Sequence, residues 1–356
     1  MTLHVFNPEH DLALASGLSN FTAPHAGRRL RADLGYLPAL WAGVNDCVLV
    51  EHVEQARRVY GRLRARVGGS PCRFVDKSQL RNLPIDRVEP WGWDMALRAA
   101  LIRYGVSPEA CANEAEITDV RKYSHRRYAA EVLRLLDWNP PAEVSSVEAV
   151  EQCLSASPRL VVKAPWSSSG RGVRFIGGEL SDYQRGWLRN IIAQQGSVMV
   201  EPFYPKVKDF GMEFEALPDG QIRYVGLSLF DTRNGAYTGN VIASEEDKME
   251  MISRYIPISL IDFVRVKIMD ALGQVIGRHY VGPFGVDMMI LSKPDNQGFL
   301  IHPCVEINLR RTMGHVAIEM ANASSSALAT SSHFVLPRVM QITLSDKYRI
   351  HILRLH

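Results

Sequence analysis

No run of about 18 apolar residues occurs, the length a membrane-spanning helix needs, so no transmembrane anchor is expected. CxxC pairs are absent as well. The five cysteines, Cys47, Cys72, Cys111, Cys153 and Cys304, are odd in number and far apart, which fits reduced thiols in a cytoplasm better than a disulfide or zinc framework. Neither sign of charge dominates. Lys plus Arg number 41 and Asp plus Glu 38, and a formal +3 is too small a surplus for a dedicated nucleic-acid binder. The first residues lack a basic start, and Glu9 and Asp11 break their apolar stretch, so a signal peptide is not expected. There is no GxxxxGK[ST] and no GxGxxG after the first strand-like run, which removes the P-loop and the dinucleotide fingerprint. What is present is 356 residues, 46% hydrophobic and 22% charged: enough for two or three packed units of ordinary globular composition.

The chain changes character near Ile117. Before it, strand-like runs at Thr2–Phe6 and Asp46–Val50 alternate with helical segments, the pattern of a small doubly wound α/β unit. Asn7-Pro8-Glu9 reads as a helix entry with Asn7 as cap, and His10 and Asp11 either face a cleft or sit on an ordinary surface cap. After Ile117 the spacing predicts a helix over Tyr123–Leu136 and strands at Leu160–Lys163, Val173–Ile176 and Ser197–Glu201. A hairpin of Phe210–Leu217 with Gln221–Phe230 turns on Pro218-Asp219-Gly220. A long helix over Pro257–Ile276 precedes a second antiparallel pair, Gly285–Leu291 with Phe299–Ile307, which makes this part α+β. Residues 231–240 read as a mobile polar loop, and 332–356 alternate without a recognisable motif.

Three segments carry possible chemistry. In Lys163-Ala164-Pro165-Trp166-Ser167-Ser168-Ser169-Gly170-Arg171-Gly172 a strand delivers a lysine to a small-residue loop whose N–H groups can approach phosphate; an ordinary polar hairpin fits equally. Strand alternation puts Glu306, Asn308 and Arg310 on one face, and with Asp287 they offer hard oxygen ligands and a cation; a solvated strand face is the alternative. Pro202 and Pro205 leave only the N–H groups of Phe203 and Tyr204 for a base lying against Glu201–Tyr204, with Asp209 placed for ribose hydroxyls. Arg233, Arg311 and His315 are further candidates, for a carboxylate pocket.

Taken in order, these segments resemble the ATP-grasp superfamily over roughly Ile117 to Ser325, most specifically in Val161–Val173 and Val305–Arg310. The resemblance implies an N-terminal α/β domain (1–116) followed by an ATP-grasp fold of two α+β subdomains (117–198 and 199–356). It implies that Lys163 touches the nucleotide, that Ser167, Ser168, Ser169, Gly170, Arg171 and Gly172 cover its phosphates, and that Glu201, Phe203, Tyr204 and Asp209 hold its base and ribose. Asp287, Glu306 and Asn308 match the family's Mg²⁺ ligands (Mn²⁺ is an alternative), and Arg310 the arginine near the transferred phosphate. Two positions depart: Arg126 stands where a lysine is usual, and Gly285 where some ligases carry arginine. The implied activity is an ADP-forming ligase that joins a small-molecule or peptide carboxylate to an amine through an acyl phosphate. A phosphotransferase and a non-catalytic nucleotide-binding module are the alternatives. No nucleic-acid or membrane partner is implied, and the oligomeric state is left open, a homodimer included.

Overall fold

The computed structural model describes residues 1–167, 172–233, 236–294, 297–328, 338–344 and 346–354. Its first layer is built from β1 (Thr2–Val5), α1 (His10–Ser16), α2 (His25–Leu34), β2 (Cys47–Leu49), α3 (Val53–Val67), β3 (Arg73–Val75), β4 (Arg87–Pro90) and α4 (Met95–Arg103). The strands form a parallel sheet in the order β3-β2-β1-β4. Parallel strands are covered on both faces, and here Cys47 and Val48, neighbours on β2, enter two different cores. The expected Asn7 cap is corrected. Glu9 occupies the cap position of α1 without a side-chain bond, while buried Asn7 donates to the Gly92 carbonyl (2.8 Å) and to Asp94 (3.1 Å). A carbonyl buried across the sheet end satisfies the amide where solvent is excluded.

Next come α5 (Glu114–Tyr123), α6 (Arg127–Leu135), β5 (Ala142–Val144), α7 (Val147–Ala156), β6 (Arg159–Lys163), β7 (Val173–Gly177), α8 (Asp182–Gln195) and β8 (Val198–Pro202). The helix expected over Tyr123–Leu136 is α6, which begins only at Arg127; Tyr123 closes α5, and 124–126 lie between the two. Asn113 and Glu116 box the start of α5, and Ser181 with Gln184 do the same for α8, each satisfying amides that a helix start leaves free. The four strands pair antiparallel in the order β5-β8-β6-β7, so Lys163 on β6 lies beside the strand carrying Glu201.

The remainder is β9 (Lys206–Ala216), β10 (Ile222–Arg233), β11 (Ala236–Ile242), α9 (Glu245–Ser253), α10 (Ile258–Ile276), β12 (Gly282–Ser292), β13 (Phe299–Asn308), α11 (Met313–Leu328), β14 (Arg338–Leu344) and β15 (Tyr348–Arg354). Seven strands form one antiparallel sheet, β13-β12-β9-β10-β11-β14-β15. Phe210, Met212, Phe214, Phe284 and Val286 fill one face against α6, α9 and α10. The loop expected at 231–240 is corrected to strand: β10 and β11 pair there, with only 234–235 outside the described residues. Its polar residues bond inward, Tyr237 to Asn240 (2.6 Å) and Asn240 to Ser228 (2.9 Å). The unread C-terminal alternation is the β14–β15 pair. Met320, Met340 and Ile242 share a core with Leu34, Tyr60 and Phe74, so the last strands and α11 bind the first layer to the large sheet.

Candidate active site

Glu306 and Asp287 face each other across β12 and β13, and Asn308 follows at the strand end. From the other side Arg126, at the start of α6, reaches the same place. Its Nη2 donates to Glu306 Oε1 at 2.7 Å, and its Nη1 to Ser167 Oγ at 2.8 Å and to the Ala164 carbonyl. One buried guanidinium therefore touches both the lysine-strand loop and the acidic hairpin. Ala164 N–H donates to the Gly172 carbonyl at 2.7 Å, closing the base of that loop. Ser168, Ser169, Gly170 and Arg171 lie outside the described residues.

Lys163 and Glu201, both buried, pair at 2.5 Å on the floor of the antiparallel sheet. Beyond them Tyr204 and Trp138 pack edge-on against His302. Neither ring nitrogen of His302 has a partner among the described residues. Burial first, and then the nearby Lys163 ammonium, push His302 down to about 3, so it is neutral at physiological pH. Phe203 turns the other way: its N–H donates to Arg159 O at 3.0 Å, and the Arg159 guanidinium lies 4.0 Å from its ring. Of the two candidate N–H groups, Phe203's is thus spent. Asp209 is also engaged, by Lys206 and Thr232, each at 2.6 Å.

The electrostatics at Asp287 test whether a cation fits. Burial, then the carboxylates of Glu306 and Glu213, push its pKa up to about 7. Like charges held together out of water favour a proton or a metal between them, and two carboxylates with an amide oxygen suit a hard divalent ion. Among the described residues there is no group of three or more His, Cys, Asp or Glu side chains that could hold a metal, so the set depends on Asn308 and on a ligand's own oxygens.

Arg310 sits just past β13, where Asp11 of the first layer grips it from both sides, Nε to Oδ1 at 2.9 Å and Nη2 to Oδ2 at 2.8 Å. Nη2 also donates to Asn308 Oδ1 at 3.0 Å. Burial alone would raise the Asp11 pKa; the Arg310 guanidinium outweighs it and holds the carboxyl below its ordinary range. The sequence alone did not decide in favour of Asp11, since its acidic side chain also suits a surface helix start; its fork geometry with a residue 299 positions away is invisible in one dimension.

Glu213 was not foreseen either. It lies 3.0 Å from His315 Nδ1, and a Cβ at Gly285 would come 2.5 Å from its Oε2. A side chain at 285 would therefore collide with that carboxylate and with Thr312. Arg311 stacks on Trp41 at 4.5 Å and faces Glu89, and His315 is buried against Glu213, so both are occupied. The Arg233 side chain lies outside the described residues.

No family model matches the chain, and no curated protein matches it in sequence. Its fold, however, is the ATP-grasp fold. N5-carboxyaminoimidazole synthetase from Staphylococcus aureus complexed with ADP aligns at TM-score 0.52 and 16% identity, covering 96% of this chain and 82% of that one. The biotin carboxylase–β,γ-ATP complex from Campylobacter jejuni aligns at TM-score 0.52 and 11% identity, covering 97% and 76%.

Proposed function

We propose that the chain is an ATP- and Mg²⁺-dependent ligase that activates a carboxylate as an acyl phosphate and passes the acyl group to an amine, releasing ADP and phosphate. The observation that carries this reading is the Arg126 contact to both Ser167 and Glu306: it puts the loop after the lysine strand and the acidic hairpin at one point. Similar solved structures hold ADP or an ATP analogue in this fold. In this reading residues 1–116 face the acceptor, and 117–198 and 199–356 close on the nucleotide.

Lys163 neutralises phosphate charge once it leaves Glu201, while Tyr204, Trp138 and His302 wall the base. Asp287, Glu306 and Asn308 would hold Mg²⁺, which when bound screens the phosphate oxygens. A substrate carboxylate oxygen bonds to the γ-phosphorus as the bond to the β–γ bridging oxygen breaks, and Arg310 faces the charge gathered there. The amine nitrogen then bonds to the acyl carbon, the carbon–oxygen bond to phosphate breaks, and the amine loses a proton. The side chains position and neutralise; no protein nucleophile is required. The five cysteines are free, in keeping with a cytoplasmic setting.

The test is ADP release across a matrix of carboxylates and amines, with the joined product identified by mass. Lys163→Ala and Glu306→Gln should each lower turnover at least 100-fold (about 2.7 kcal/mol of barrier) with an unchanged circular dichroism spectrum. Release of AMP and pyrophosphate would overturn the reading. Phosphorylated acceptor without a joined product would move it to a phosphotransferase.

A further inference from the structure

A second cavity, of about 630 Å³, shares Leu14 and Trp166 with the acidic site and has no part in the chemistry above. The end of α1, α5 and the turn into α6 wall it, with Met95 and Ile117 supplying apolar surface. That volume suits a ligand of metabolite size. Its charged wall residues are Arg121, Lys122 and Arg127, and no Asp or Glu lines it. Arg127 is paired with Glu143 at 2.6 Å. Arg121 and Lys122 have no carboxylate partner among the described residues. Arg121 is instead fixed by neutral groups, its Nε donating to Leu14 O at 2.7 Å with its guanidinium 4.4 Å from the Trp166 ring, while Lys122 is exposed, its ammonium 4.9 Å from the Tyr123 ring. Asp119 acts on Lys122 only from a distance. His125 contributes no charge, because burial and then Arg127 push it down to about 4.

A guanidinium held in place without counter-charge beside an apolar wall, with a second cation at the rim, can receive an anion with part of its orientation already set. The wall also leads to the chemistry, since Trp166 precedes Ser167, the residue Arg126 holds. We propose that this cavity binds a small organic anion, a carboxylate or phosphate on an apolar or aromatic body. On the ligase reading it is a co-substrate with an acidic group besides the one that reacts.

The probe is 8-anilinonaphthalene-1-sulfonate, an aromatic anion, titrated by fluorescence into the full chain. Thr118→Trp fills the cavity and Lys122→Glu reverses one charge; both positions are exposed, so the fold should survive, as a melting curve checks. Both variants should weaken the probe at least five-fold while a fluorescent ATP analogue with Mg²⁺ binds within two-fold of the parent. Phenylacetate or phenyl phosphate should displace the probe, and the stronger competitor identifies the headgroup. Absence of probe binding, unchanged affinity in either variant, failure of both competitors, or displacement by MgATP overturns the site. A chain that passes these tests yet binds no nucleotide keeps the anion site and loses the ligase reading instead.

Discussion

At the residue scale, His302 and His125 set a pH dependence whose sign is fixed. Both have folded pKa values, about 3 and about 4, below the unfolded 6.5. Asp287, whose carboxyl is pushed up to about 7, works in the opposite sense; at the two histidines the unfolded chain binds more protons between those limits, so their contribution to stability rises with pH and is fully present above about 6.5. It is lost as pH falls from there, at up to about 1.4 kcal/mol per pH unit for each histidine. His302→Leu removes one of the two. Because neither ring nitrogen has a partner among the described residues, the replacement should cost little at pH 7 and should raise the urea midpoint at pH 5. A steeper acid limb in that variant would mean His302 is bonded in solution. Asp11→Asn acts in the opposite sense. It removes the two-pronged partner of the half-buried Arg310, which keeps Asn308 and the nearby Glu306 and Asp287 carboxylates, with an expected loss of about 1–3 kcal/mol on urea unfolding.

At the element scale, the site depends on how closely α11 meets the large sheet. Gly314, in the first turn of α11, has no room for a side chain, since a Cβ would run into the Glu213 carboxylate and Ser228. Gly314→Ala should therefore cost about 1–3 kcal/mol and also weaken nucleotide binding, because α11 follows directly from Arg310. Stability lost with nucleotide affinity intact would separate α11 from the site. Much at this scale was legible in the sequence. Strand and helix periods, the Pro218–Gly220 turn and the Lys163 and Glu306 strands all follow from local chemistry. The start of α6 was placed too early because Tyr123, the last residue of α5, continues the apolar spacing of α6. Residues 231–240 were misread because a buried polar network, Tyr237–Asn240–Ser228, has the composition of a loop. Glu213 and Trp138 could not be read at all, since their meaning lies in partners far along the chain.

At the scale of the whole molecule, the first layer does not hang from the large sheet as a free body. Val316, Met320 and Met340, all fully buried, pack in one cluster with Leu34, Leu37 and Tyr60. That shared core fixes the distance over which Asp11 reaches Arg310, so the arginine's position is set by packing far from it. Met340→Ala opens a cavity in this core, with an expected cost of about 2–5 kcal/mol. The consequence should extend beyond stability. If the two bodies share one cooperative unit, the variant unfolds in a single transition, and amides of β1 and of β14 lose hydrogen-exchange protection together. If β14 opens while β1 stays protected, the bodies are independent, and Asp11 holds Arg310 across a joint rather than within one core. On the ligase reading, saturating MgATP should then protect β1 and β14 together in the first case and β14 alone in the second. A ligand bound only to the folded state at 100 times its Kd adds about 2.7 kcal/mol to every segment that unfolds with its site.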